Sequence, residues 1–194
     1  MVIVRDPAVA ERIKVMRLHG INRDAFDRYT AKVPSWYYEV VAPGFKYNLT
    51  DIAAALGVHQ LKRAWAFQKQ RQVLAEQYNA ALRGLPLTVP PSSPRGDVHA
   101  WHLYPVRLND RARVSRNVVI ERLFDAGIGC SVHYIPLHLQ PYWRDRYGLT
   151  PQAYPQSQHA YECMVSLPLY TRMREGDVQR VAQVVGVELT ATAD

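Results

Sequence analysis

Cysteine is scarce in this sequence. Its two occurrences, Cys130 and Cys163, are too few for a disulfide framework and too far apart for a zinc spacing. Both sit in apolar surroundings, GIGCSV and YECMVSLPL, and read as reduced packing residues. Long apolar runs are missing too. Nothing approaches the roughly 18 consecutive apolar residues of a membrane span, which argues against a membrane partner. The opening MVIVRDPAVAERIK is apolar for four residues and then charged, unlike a signal peptide, so the expected location is the cytoplasm.

Metal chemistry is short of ligands, with no HExxH, no CxxC and no acidic cluster. His99 and His102, three apart in HAWH, would point to opposite faces of a strand. His133 and His138 are separated by a Pro-containing turn, so no metal site is expected. GxSxG, P-loop and GxGxxG patterns are absent, and no local signature supports a Ser-His-Asp triad.

What remains is an ordinary globular composition, 48% hydrophobic and 21% charged, enough for one core or two small ones. The net charge of +7 comes from 19 arginines and only 5 lysines. Most of that charge reads as a solvated surface. Its functional reading is a phosphate-bearing partner, because the arginine fork grips phosphate well. A phosphorylated small molecule satisfies this signal. Nucleic acid is not expected as a partner, since no window interleaves the charge with aromatics.

Along the chain, Met1 to Val4 reads as the end of a buried strand, which implies truncation because such a strand needs a neighbour. Asp6 and Pro7 then open a helix that Gly20 ends. Residues 21–47 read as a loop with one extended piece near Trp36 to Val41, and Trp36, Tyr37 and Tyr38 suggest burial against something. Thr50 or Asp51 caps a helix through IAAALGVHQLKRA, and a second, long helix spans about Ala64 to Leu82, stopped by Gly84. LPLTVPPSSPRGD reads as a linker. Beyond it, HAWHLYPVRL, GIGCSVHYIPL and VSLPLY read as strands. The helices expected there are one capped by Ser115 with Val118, Val119, Leu123 and Phe124 on its apolar face, one near Gln156 to Cys163, and one over Glu175 to Val187. This pattern predicts an α/β region with an antiparallel or mixed sheet.

Two segments look built for a ligand. Pro43 to Asp51 is a polar loop entering a helix N-terminus, where amides and the helix dipole favour an anion, and Asn48 can donate to a phosphate oxygen. A plain capping loop reads equally well from spacing. In Gly127 to Tyr134 two glycines permit close backbone approach, and His133 falls at a strand end. A tight turn followed by a satisfied core histidine is the simpler alternative.

PGFKYNLTDIAAALGVHQL, HAWHLYPVRL, GIGCSVHYIPLH and VSLPLY, in this order, resemble the DegT/DnrJ/EryC1/StrS aminotransferases, as does the opening RDPAVAERIKVMRLHGINRDAFDRY. GFKYNLTD and HAWHLY look closest to the UDP-4-amino-4-deoxy-L-arabinose–oxoglutarate branch. The resemblance implies a fold type I α/β enzyme that uses pyridoxal 5'-phosphate (PLP) as a homodimer. Such an enzyme moves an amino group, from glutamate, to a nucleotide-linked keto sugar for cell-envelope or polysaccharide synthesis. Residues 1–84 would then end the large PLP-binding domain, 85–97 would form the linker, and 98–194 would form the small C-terminal domain. By resemblance, Asn48 reaches the cofactor phosphate of the neighbouring subunit. His133 lies at the substrate or amino-donor pocket, with Tyr47 and Tyr134 as further substrate candidates.

The resemblance also implies an absence. The family's Schiff-base lysine, its acid for the pyridine nitrogen and its stacking aromatic stand upstream of the segment that begins here at Met1. Lys14, Lys32, Lys46, Lys62 and Lys69 occupy motifs where the family does not place that lysine. Transamination needs an amine that forms an imine and then shuttles a proton, so the chain by itself is expected to be inactive, a fragment with no catalytic residue of its own. The alternative expectation is a stand-alone, non-catalytic dimerisation remnant.

Overall fold

A computed structural model describes residues 2–22, 38–94 and 96–190. The chain divides into two compact units, Met1–Lys62 and Arg63–Asp194.

In the first unit, helix α1 spans Pro7–Met16. Asp6 caps it as the sequence requires, its Oδ1 accepting from the Ala8 amide at 2.8 Å, and Pro7 occupies the first turn, where no amide proton is needed. Gly20 follows at φ 72°, and a Cβ there would run into the Ala42 carbonyl, so only glycine fits. Val2 to Val4 do not form the expected strand. They are exposed and outside any ladder, because a strand without a neighbour has nothing to hold it. Lys32, Trp36 and Tyr37 lie outside the described residues. Tyr38 is exposed, and among the described residues of the extended piece Val40 makes a bridge, to Ile21.

Helix α2 runs unbroken over Asp51–Ala81, where the sequence suggested two helices. Its interior holds no proline. Gly57, costing about 1 kcal/mol against alanine, is outweighed by the surrounding Ala, Leu, Gln, Lys and Arg. Thr50 is the cap, its Oγ1 accepting from the Ala53 amide at 3.4 Å.

The second unit holds the core. Strands β1 (Leu87–Thr88), β2 (Tyr104–Leu108) and β3 (Met164–Leu167) form an antiparallel sheet in that order. Leu87 pairs with Leu108, so the stretch expected as a linker enters the sheet at its start, held there by burial of the Leu87 side chain. Along β2, Tyr104, Val106 and Leu108 are buried in alternation with Pro105 and Arg107. Helix α3 (Arg116–Asp125) is capped by Ser115 and buries Val119 and Leu123. Phe124, expected on that face, is 76% exposed: one residue past Leu123, it points about 100° away. Short helix α4 (Pro141–Tyr147) and helix α5 (Pro155–Cys163) lead into β3, which stops before Pro168, a residue with no amide to pair. Helix α6 (Glu175–Thr190) buries Val178, Val181, Ala182, Val185 and Leu189 along one stripe.

Two strand expectations shrink. HAWHLYPVRL pairs only from Tyr104 onward, since Trp101 takes a left-handed φ of 47° that a strand does not accept. GIGCSVHYIPL makes no strand, only one bridge between Ser131 and Ser166. Gly127, Gly129 and Pro136 deny it the run of side chains and amides that a ladder needs. At the centre, Tyr78 of α2 stacks on Tyr104 at 4.8 Å, and the two hydroxyls donate to the Pro168 carbonyl and to Asn79 Oδ1. Among the described residues no helix is long and apolar enough to cross a membrane.

Candidate functional site

The polar groups of the second unit converge on an open cleft of about 260 Å³ at β3, lined among others by His102, Cys130, Ser131, His133 and Ser166. Two backbone hydrogen bonds build it. The Ser131 amide donates to the Ser166 carbonyl at 3.2 Å, and the Ser166 amide donates back at 2.7 Å. This pins the turn after Gly129 against β3. His133 is thereby brought beside Ser166, with its Nδ1 2.9 Å from the Ser166 hydroxyl. Ser166 is only 4% exposed, while His133 is half-buried and lines the cleft. Tyr134 sets its ring edge-on to His133 at 4.8 Å and is otherwise exposed.

The other histidines separate, though His99 and His102 lie ahead of β2 and not in a strand. His99 accepts from the Trp101 amide at 2.9 Å and packs on that indole, whereas His102 lines the cleft. His138 is buried against Gln158 at 2.9 Å and stacks on Tyr154. Among the described residues no group of three or more His, Cys, Asp or Glu could hold a metal. A larger hollow, about 520 Å³, lies between α2 and the start of α6, lined by Lys69, Gln70, Val73, Gln77, Thr171 and Glu175 among others. Size does not make it the site, for it holds no histidine or cysteine.

Asn48 belongs to the first unit, two residues before the Thr50 cap of α2. It is half-buried, and its side-chain amide makes no hydrogen bond among the described residues. Tyr47 stacks on Phe45 at 5.0 Å and is exposed.

A profile of the DegT/DnrJ/EryC1/StrS aminotransferase family matches residues 1–186. This chain belongs to that family. Among its relatives are an uncharacterised protein of Methanocaldococcus jannaschii, 44% identical over 186 residues, and the spore coat polysaccharide biosynthesis protein SpsC of Bacillus subtilis, 40% identical over 187. Each match takes in 95% of this chain and 48% of the relative. The candidate sugar aminotransferase Spr1654 of Streptococcus pneumoniae, in its PMP form, superposes with a TM-score of 0.84 at 28% identity, covering 95% of this chain and 46% of the other. PseC of Helicobacter pylori, an aminotransferase involved in the biosynthesis of pseudoaminic acid, gives 0.80 at 25% identity, covering 95% and 47%. The fold is that of the fold type I sugar aminotransferases, in part. The chain spans about half the length of the relatives it matches, as a C-terminal half would.

The residues of this family member suit part of a PLP site. The uncommitted amide of Asn48 beside a helix start is a fitting donor for a phosphate, although Asp51 in the first turn adds a charge of the wrong sign for an anion. Among the described residues no lysine lines the His133 cleft. Lys14 is paired with Glu11 at 2.7 Å, Lys46 and Lys62 are exposed, and Lys69 lines the other hollow. The described residues therefore make no complete cofactor site, and no reaction step follows from them alone.

Three further residues of the cleft, Ser166, His102 and Cys130, carry no site signal in the sequence beyond a serine in the otherwise apolar VSLPLY. Burial pushes the Cys130 thiol above its ordinary range, which reduces the thiolate present at pH 8. Cys130 is accordingly expected to alkylate with iodoacetamide several-fold more slowly than free cysteine at that pH. Mass spectrometry of a time course checks this, and alkylation as fast as the free thiol would show an activated residue instead.

Proposed function

We propose that this chain serves as part of a PLP-dependent aminotransferase that moves an amino group from glutamate to a nucleotide-linked keto sugar. The reaction would supply amino sugars for the cell envelope or for polysaccharide. The working form is a cytoplasmic homodimer with no nucleic-acid or membrane partner. The observation that carries this reading is the His133 cleft: histidine and serine held at hydrogen-bond distance by a sheet bridge, with no amine beside them among the described residues. Such a site can hold and orient a polar substrate but cannot form an imine. The names of SpsC and PseC, tied to polysaccharide and to pseudoaminic acid, support a sugar substrate. The arginine-rich composition supports a phosphate-bearing one. In this reading Asn48 contacts the cofactor phosphate of the neighbouring subunit, while His133, Tyr47 and Tyr134 face substrate.

A second reading, a non-catalytic dimerisation remnant, draws support from α2, where Ile52, Leu56, Leu61 and Trp65 are all exposed. One experiment separates the two. The chain is expressed alone and also joined behind the part of SpsC that it does not span. Each product is given PLP, ¹⁵N-glutamate and a panel of UDP-linked 4-keto sugars. Labelled amino sugar is expected from the joined protein and none above background from the chain alone. Transfer by the chain alone would overturn the assignment of the reactive amine to another segment. A joined protein that folds and binds PLP yet aminates no keto sugar would favour the remnant.

A further inference from the structure

We propose that Ser166 is a positioning residue that fixes His133 in a single tautomer, with its proton on Nε2. A serine hydroxyl is one donor and two lone pairs; a neutral imidazole is one donor and one acceptor. Ser166 is 4% exposed, and among the described residues its Oγ has one hydrogen-bond partner, His133 Nδ1 at 2.9 Å. If Nδ1 carried the proton and donated it, the serine proton would have no protein acceptor among the described residues. A spare oxygen lone pair is tolerated far better than that. The serine therefore donates to Nδ1. The ring proton then sits on Nε2, the nitrogen left for a ligand in the cleft that His133 lines.

The anchor is rigid. Ser166 lies in β3, paired with Pro105 of β2, and its amide and carbonyl are both tied to Ser131. The Cα–Cβ direction of Ser166 is thus set by the sheet, which keeps its hydroxyl beside the imidazole. An Nε2–H donor calls for an acceptor on the ligand, such as a carbonyl or carboxylate oxygen. On the aminotransferase reading, on which only this last identification rests, that oxygen belongs to the keto sugar or the amino donor.

The test is spectroscopic and needs no turnover. The full chain is labelled with ¹⁵N-histidine, and long-range ¹H–¹⁵N correlations are recorded near pH 9, where an ordinary imidazole is neutral. Loss of one pattern in His133→Gln assigns the ring. Nε2 is expected at a protonated-nitrogen shift and Nδ1 at a bare-nitrogen shift. Ser166→Ala is expected to move both toward the average of a freely exchanging ring, and Ser166→Thr to restore them. A proton on Nδ1 in the unmodified chain overturns the proposal, as does an unchanged tautomer in a folded Ser166→Ala. Should Ser166→Ala not fold, the unmodified spectrum decides alone. A joined enzyme that transfers no amine while His133 keeps this tautomer would overturn the functional reading and leave the tautomer assignment standing.

Discussion

Replacing His133 by alanine in the joined enzyme is expected to lower kcat/KM for amino transfer about 100-fold, the usual loss when one preorganised donor at developing charge is removed. The effect traces to Ser166. Its hydroxyl lies 2.9 Å from Nδ1 and leaves only Nε2 to meet a ligand. Alanine removes that contact and leaves the serine hydroxyl without its partner. The fold should tolerate the change, because His133 is half-buried at the edge of an open cleft and not among the core residues. Phe124→Leu is the internal control. Phe124 is 76% exposed on α3 and is not among the residues lining the cleft, so leucine should change kcat/KM less than about threefold, in keeping with small effects of exposed substitutions. Steady-state kinetics of the two variants side by side checks the pair. Equal losses would show that the cleft is not the substrate site.

Tyr78→Ala should remove about 3–5 kcal/mol of unfolding free energy from the second unit, as large-to-small aromatic substitutions in cores do. Tyr78 is fully buried, stacks on Tyr104 at 4.8 Å and donates its hydroxyl to the Pro168 carbonyl at 2.9 Å. Burial, with the neighbouring Tyr104, raises its hydroxyl pKa, so it remains a donor throughout the physiological range. Tyr78→Phe keeps the ring and loses the hydrogen bond, at about 1 kcal/mol. The phenylalanine variant should carry a second consequence, a slight loosening of the His133 cleft, since Pro168 also borders it. Urea midpoints read from the protected amides of β2 and β3 check both variants. A small loss for Tyr78→Ala would mean that the core is packed around other side chains.

Local chemistry was legible in the sequence. The Asp6–Pro7 start of α1, the Ser115 cap of α3, the stripe of α6 and the antiparallel possibility for the sheet are each encoded within a few neighbouring residues. A cap needs one side chain and one amide, and an apolar stripe needs only the helix period. Four ordered motifs sufficed to reveal the family, and the family profile over residues 1–186 agrees.

Strands were less legible because a strand is defined by its partner. Val2 to Val4 carry strand-forming side chains and yet lie exposed, while Leu87–Thr88, from a Pro/Ser stretch that reads as a linker, is paired. Propensity is a property of the segment; pairing is a property of what lies beside it. The continuity of α2 was obscured for a related reason. The segment reads as two helices meeting near Ala64, but no residue there prevents the next helical hydrogen bond.

Helix starts, the apolar stripe of α6 and the family were thus all written in the order of the residues. The pairing of Ser166 with His133 was not. The two lie 33 residues apart, and no local pattern relates them. They meet because β3 takes its register from β2 and because Ser131 is bridged to Ser166, which carries the turn after Gly129 to the strand. A hydrogen bond between distant side chains depends on where two backbones are placed, and that placement is fixed by the packed core, not by the residues that finally touch.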